Sequence, residues 1–470
     1  MELPLTMAEA TVALEAGTVT STELTAAFLR RIAATQESLG AFVTVFEEAA
    51  LKAASEADAR RSAGVKVNAL AGVPLAVKDI IATKEARTTA NSKVLPAGFE
   101  GGEDAPVVSR LRSVGAVILG KSTTSEYASG MPDPDKGYLV PHNPWDVTRS
   151  PAGSSSGTGI AVAAGLALGG LGTDTGGSVR APAAANGITG LKVTFGRVSK
   201  NGVVPLGYSL DSVGPMARSA YDCATLLEVI AGYEAGDPYA SIAEVPRYRD
   251  ALTGDIGGIR IGIPVPYFYD TPELEEQARA AVLVAVDVLK EAGAQVTETE
   301  VPFAKEANEA NILTMVAEAF AYHRNNLISR WGDYGKYTLP TLARGALTTA
   351  GDYVQAQRFR SRFCRDVAML FARFDVLLTP GSLGPAERVD QMDPERRFAR
   401  PNFTGPWNFA GLPAVVAPCG VSSVGGLPLS MQIIGRPFAE GTVLRVLDAY
   451  QRLTGWHLRV PPVPALMGAS

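Results

Sequence analysis

Residues 114–122 read VGAVILGKS, and the fold turns on how they are taken. From Gly115 to Ser122 they match the phosphate-loop pattern G-x-x-x-x-G-K-[ST]. Such a loop needs its four intervening residues curled so that their N–H groups face inward, between a strand and a helix. Here those four are Ala116, Val117, Ile118 and Leu119, aliphatic residues that favour a buried strand. The strand reading sets aside a nucleoside-triphosphate site and supplies a β element. VPLAVKDI (73–80) reads the same way, whereas APVVSRLRS (105–113) and GTGIAVAAGLAL (157–168) read as helical. Strands alternating with helices predict an α/β fold.

Outward from this stretch, residues 5–62 predict two or three helices, with AFLRRIAA and EEAALKAASEADARR carrying helical periodicity and Ser21 or Thr22 as an N-cap. Residues 259–264 predict a strand, and the helix after it sets Ala278, Val282, Val286 and Leu289 on one face. Residues 303–373 are mostly helical, with Phe359, Phe363, Val367 and Leu370 forming a core-facing stripe. Three more strands are expected around Leu377, Val415 and Gln432. No Pro/Ser-rich linker, composition break or internal repeat divides the chain, so one large α/β domain is expected.

At 470 residues and 46% hydrophobic content, the chain can bury a large core. A net charge of −5 argues against nucleic-acid binding and for a small-molecule substrate. Cys223, Cys364 and Cys419 are too far apart for a zinc or redox motif and point to a reducing compartment. The first residues are acidic where a signal peptide is basic. The longest apolar stretch, GIAVAAGLALGGLG, is too short and glycine-rich to span a bilayer. A cytoplasmic protein with no membrane contact is the expectation.

Two further motifs are set aside. AVKD (76–79) resembles the β3 lysine of kinases, but no glycine loop precedes it and no H-R-D or D-F-G follows. GSSSG (153–157) fits the G-x-S-x-G elbow with Ser155 at its centre, yet HNPWDVTRSPA before it is no strand. An elbow serine also needs a histidine base, and of His142, His323 and His457 only His142 is near in sequence. A better setting for a nucleophile is GTDTGGSVR (172–180). Gly176 and Gly177 allow backbone angles closed to other residues, and successive N–H groups in such a turn can converge on an oxyanion.

Lys78 in GVPLAVKD, then PAGSSSGTGIAVAAG, GTDTGGSVRAPAAANGITGLKVTFGRVS and VVPLGYSLDSVGPMARS, together with NFAGLPAVVAPCG and GLPLSMQIIGRPF, resemble the amidase signature family in order and spacing. The resemblance implies a single α/β domain with a central mixed β-sheet flanked by helices on both faces. Within it, residues 1–64 would be helices packing on a 65–470 body, whose 240–400 part is more variable, mostly helical and substrate-facing. It also implies a Ser-cisSer-Lys triad with Ser178 as nucleophile, Ser154 as a bridging serine preceded by a cis peptide, and Lys78 as base. Backbone N–H groups of Thr175, Gly176, Gly177 and Ser178 would hold the oxyanion, with Ser155, Asp174 and Arg180 in support. No metal or cofactor is implied. The chemistry is coherent on its own terms, because a lysine serves as base once burial lowers its pKa, and Lys78 lies in an apolar run.

The chain departs from the family at Ala152 and Val193, where relatives carry glycine and proline, and in an acidic, proline-rich loop at 129–146. ARPNFTGPWNFAG lacks the acid that the A subunits of amidotransferases use to hold glutamine, and the central arginine is a displaced Arg344. The expected substrate is therefore a neutral, partly apolar amide, with aryl esters, anilides or carbamates also open. Met131, Tyr138 and Trp407 are candidates for the pocket wall. Two other readings stand beside this amidase: the A subunit of a glutamine-dependent tRNA amidotransferase, and a silent scaffold of the same fold. A homodimer is a further possibility.

Overall fold

In a computed structural model, which describes residues 3–393 and 398–463, VGAVILGKS is a strand. In chain order the strands are β1 (Phe42–Val45), β2 (Pro74–Lys78), β3 (Val117–Ser122), β4 (Gly169–Asp174), β5 (Thr189–Lys192), β6 (Ser212–Ala217), β7 (Arg260–Pro264), β8 (Gln295–Thr299), β9 (Val376–Pro380), β10 (Ala414–Val421) and β11 (Pro428–Gly435). They form one mixed sheet in the order β1-β3-β2-β4-β6-β5-β10-β11-β9-β7-β8. β2 runs parallel to both β3 and β4, and β7 to both β8 and β9, while the remaining neighbours are antiparallel. With the thirteen α-helices among the described residues, this is a single large α/β domain.

Every residue of β2 to β6 is buried, which a sheet achieves only when both faces are covered. At one edge, β8 reads QVTET and is largely exposed, a polar rim that discourages pairing with another chain. Gly120 makes the other edge possible, because a Cβ there would lie 2.1 Å from the Thr44 carbonyl oxygen on β1.

Three local expectations change. The helix Ser21–Leu39 is capped by Thr20, whose side chain accepts from Glu23 N–H in a capping box, rather than by Ser21 or Thr22. The residues before 64 contribute β1 to the sheet as well as three helices. The helical run expected at 157–168 is the helix Ser156–Ala163, after which Gly165 at φ +65° turns the chain into β4.

Because β2 and β4 are parallel neighbours, their C-terminal ends lie side by side, at Lys78 and Asp174. The carboxyl ends of parallel strands are where α/β sheets expose the loops that bind ligands.

Candidate active site

Lys78, the last residue of β2, is fully buried. Its Nζ lies 2.7 Å from Ser154 Oγ and 2.7 Å from Thr173 Oγ1, hydrogen-bonded to both. Burial lowers the Lys78 pKa to about 7, against the opposing pull of Asp174 and Asp211. Asp79, its neighbour in sequence, is turned to Lys121 instead. Lys78 is thus an amine close to neutrality rather than an ion-paired cation.

Ser154 follows a cis Gly153–Ser154 peptide and is itself buried. The loop is fixed on both sides, by Ser125 N–H donating to the Ser154 carbonyl at 3.2 Å and Ser155 N–H donating to the Ser178 carbonyl at 3.2 Å. The second bond ties the loop to the turn that carries Ser178. Ser155 is fully buried, with its hydroxyl accepting from Thr173 N–H at 3.2 Å and donating to the Thr173 carbonyl at 3.3 Å. His142 Nδ1 lies 3.3 Å from the Val147 carbonyl, in a loop of its own. The elbow reading therefore has an enclosed serine and no base.

The turn after β4 is organised by Asp174. Its carboxylate accepts Gly177 N–H at 2.7 Å, Val179 N–H at 3.1 Å, Asn408 Nδ2 at 2.8 Å and a two-pronged contact from Arg180 at 3.0 Å. Burial alone would raise the Asp174 pKa, but Arg180 holds it well below the usual carboxylate range. Arg180 also donates to Gln432 Oε1 at 2.7 Å and to the Thr404 carbonyl at 3.1 Å. Gly177 has φ +134°, and a Cβ there would meet Thr404 Oγ1 at 2.2 Å, so glycine is required on both counts.

The turn's carbonyls are held from outside the turn. Thr404 Oγ1 and Asn402 Nδ2 donate to the Gly176 carbonyl at 2.6 and 3.2 Å, and Asn311 Nδ2 to that of Thr175 at 3.4 Å. In a planar trans peptide the next N–H points the opposite way. The N–H of Gly176 is therefore directed away from Asn311, whereas that of Gly177 is already on Asp174. Ser178 is partly exposed while Lys78 and Ser154 are buried.

The three pocket candidates differ in their surroundings. Met131 is partly exposed in the loop before residue 134. Tyr138 is buried and its hydroxyl is committed to Glu126 Oε1 at 2.9 Å and the Asp333 carbonyl at 2.6 Å. Trp407 is fully buried and stacked on Phe268 at 5.5 Å between ring centroids. Tyr138 and Trp407 are thus buried rings, as large aromatic side chains commonly are.

Sequence reasoning passed over Thr173, Asp211, Asn311, Asn402, Thr404, Asn408 and Gln432. The clearest signal was Gln432, an amide within the otherwise apolar LSMQIIG strand, where a buried polar side chain requires a partner. Among the described residues no group of three or more His, Cys, Asp or Glu side chains is arranged to hold a metal ion, and no helix is long and apolar enough to cross a membrane.

The site thus sets a buried lysine, bonded to a serine, beside a glycine turn at the carboxyl ends of two parallel strands of an α/β sheet. The chain belongs to the amidase family, whose model, described as Amidase, matches residues 23–444. The A subunit of glutamyl-tRNA(Gln) amidotransferase from Roseiflexus sp. (strain RS-1) is 42% identical over 485 residues, covering 98% of each chain. The native peptide amidase from Stenotrophomonas maltophilia superposes with a TM-score of 0.84 at 31% identity, over 98% of this chain and 99% of that one. A chain from a vestigial complex bearing on the origins of an s-triazine catabolic enzyme gives a TM-score of 0.90 at 31% identity, over 95% and 98%.

These relatives correct the expectation about partners. A small molecule alone, with no nucleic acid and at most a homodimer, does not fit a chain 42% identical to one component of an amidotransferase named for a tRNA. Net charge was a poor guide because it averages over the whole surface, and in an assembly the contacts to nucleic acid can lie on a different chain.

Proposed function

We propose that the chain cleaves a carboxamide C–N bond by acyl transfer to Ser178. The observation that carries this reading is the fully buried Lys78 amine, 2.7 Å from Ser154 Oγ and brought by burial to a pKa of about 7. Neutral Lys78 accepts a proton from Ser154 as Ser154 takes one from Ser178, and Ser178 Oγ bonds to the amide carbon. The carbonyl π electrons move to oxygen, and the N–H groups of Thr175, Gly176 and Ser178 stabilise the oxyanion, while that of Gly177 is shared with Asp174. Collapse breaks the C–N bond, with Ser154 returning its proton to the leaving nitrogen and Lys78 reprotonating Ser154. Water then repeats the sequence against the acyl-enzyme and releases the acid.

For the substrate, the 42% identity to the A subunit of an amidotransferase favours glutamine as the amide, with the chain working beside other subunits. A second reading, a stand-alone amidase acting on neutral amides, anilides or carbamates, is favoured by the absence of any carboxylate between Arg400 and Gly411. Ammonia or amine release from glutamine, a neutral primary amide and an anilide, measured with Ser178→Ala as control, separates them. Glutamine turnover supports the amidotransferase reading, and turnover of the other two without glutamine supports the second. Failure of all three, with no fluorophosphonate adduct on Ser178, overturns both in favour of a silent scaffold.

A further inference from the structure

Lys200 is buried, and although its backbone N–H donates to Asp237 Oδ2 at 2.8 Å, its ammonium has no carboxylate within 4 Å among the described residues. Its Nζ instead sits over three aromatic rings, 4.5 Å from the centroid of Phe195, 4.5 Å from Tyr208 and 4.6 Å from Tyr239. The rings are mutually braced, with Tyr239 edge-on to both Phe195 and Tyr208 at 5.2 Å. Such a cage attracts a cation through the negative faces of the rings. Among the described residues, the one hydrogen bond that the ammonium makes goes to the Tyr208 carbonyl, at 2.6 Å.

Tyr208 lies in the loop that ends at Asp211. Asp211 Oδ1 accepts Thr175 Oγ1 at 2.5 Å, while its two oxygens also accept Leu206 N–H at 3.0 Å and Gly207 N–H at 3.1 Å. The loop presses on the same threonine, since a Cβ on Gly207 would come within 2.8 Å of Thr175 Cγ2. From the other side, Arg360 donates to the Ser209 carbonyl at 3.0 Å and Ser209 donates to Glu318 at 2.7 and 2.9 Å. A loop gripped at two consecutive residues, Tyr208 and Ser209, delivers one carboxylate to Thr175, the first residue of the turn that carries Ser178.

We propose that Lys200 is a positioning residue for acyl transfer: by holding the Tyr208 carbonyl from within the aromatic cage, it sets the 206–211 loop, whose Asp211 orients Thr175 and hence the oxyanion donors. This rests on the Ser178 reading above.

The test needs no knowledge of the substrate. The rate of Ser178 modification by a fluorophosphonate, followed by intact mass, reports on both the nucleophile and the oxyanion donors. Lys200→Met is expected to slow modification roughly tenfold or more with Tm little changed, and Lys200→Arg to recover part of the loss. Thr175→Val is expected to slow it similarly, with the double variant no more than about twofold slower than Thr175→Val alone, because both act through one path. Should Lys200→Met not fold, Tyr239→Leu, at a partly exposed ring of the cage, carries the same expectation. Wild-type modification rates in folded Lys200→Met or Tyr239→Leu overturn the proposal, as do losses that multiply in the double variant. Continued modification of Ser178→Ala would instead overturn the Ser178 reading, so the two failures are distinct.

Discussion

The Lys121 ammonium lies 3.3 Å from the Asp79 carboxylate, with both side chains buried. Lys121 is the lysine of the phosphate-loop look-alike, and Asp79 is the acid next to Lys78 in sequence. Two lysines on adjacent parallel strands thus divide the electrostatics between them. One takes the carboxylate, also donating to Thr88 Oγ1 at 2.8 Å, and Asp79 opposes the lowering of its pKa by burial. The other is left with only hydroxyls and can approach neutrality.

Lys121→Met leaves the Asp79 carboxylate buried without its counter-charge. Removing one partner of a buried pair costs roughly 3–5 kcal/mol, whereas replacing both with apolar or neutral groups is often close to neutral. Urea denaturation should find the single variant destabilised by about that much and Lys121→Met/Asp79→Asn largely restored. Equal stability of the single variant and wild type would remove the pair from the account.

In the proposed relay Lys78 accepts a proton only when neutral, so activity is expected to climb with pH. With a pKa brought by burial to about 7, the acid limb of the kcat/KM profile is expected to bend near neutrality. Lys78→Arg, charged at every accessible pH, should be reduced by roughly a thousandfold or more and lose that limb. An unchanged acid limb in this variant would assign the ionisation to another group.

The same lysine is a liability to stability. Its folded pKa lies below the unfolded value near 10.5, so between about pH 7 and 10.5 the unfolded chain binds more protons and stability from this group rises with pH. Lys78→Met is expected to raise Tm by roughly 2–4 °C at pH 6, with the gain shrinking towards pH 9. A loss of Tm at pH 6 would show that the Ser154 and Thr173 contacts outweigh the burial cost.

Asp174 is the hub of the turn. Asp174→Ala strands Arg180 among neutral partners and frees Gly177 N–H, and should cost about 3–5 kcal/mol by chemical denaturation together with most Ser178 reactivity. Full fluorophosphonate reactivity in the folded variant would separate turn geometry from this carboxylate.

Ser155→Ala and Ser178→Ala should differ sharply. Among the described residues the Ser155 hydroxyl exchanges hydrogen bonds only with the Thr173 backbone, so its loss is expected to cost about 1 kcal/mol of stability and a few-fold in rate. Ser178→Ala should remove the covalent adduct altogether, as mass spectrometry after fluorophosphonate treatment will show.

Where a segment's local chemistry agrees with its place in the sheet, the fold can be read directly. VGAVILGKS, VPLAVKDI, DVLLTP and LSMQIIG are aliphatic runs, and all four are strands. β4 escapes that reading because GGLGTD has almost no side chains. Its glycines are there to let other groups approach, as at Gly172, where a Cβ would fall 2.7 Å from Ser155 Oγ. β8 escapes it for the opposite reason, since QVTET is polar on an exposed edge. Lys78, Ser154 and Ser178 were named together because their segments resemble the amidase signature, and the structure brings Lys78 to Ser154 and ties Ser155 to Ser178. The clasp around them was not, because Asn402, Thr404, Asn408 and Gln432 come from distant chain and contact the turn only after folding.

That clasp also bears on the order in which the protein becomes competent during synthesis. The Gly176 carbonyl is gripped by Thr404, 228 positions downstream, and Arg180 by Gln432, 252 positions downstream. A ribosome that has delivered Lys78, Ser154 and Ser178 has not yet delivered the side chains that hold the nucleophile's turn in shape. Contacts of such long span form late, after the entropy of closing the intervening chain has been met. The turn that carries Ser178 is thereby completed only once residues as far downstream as Gln432 have been made.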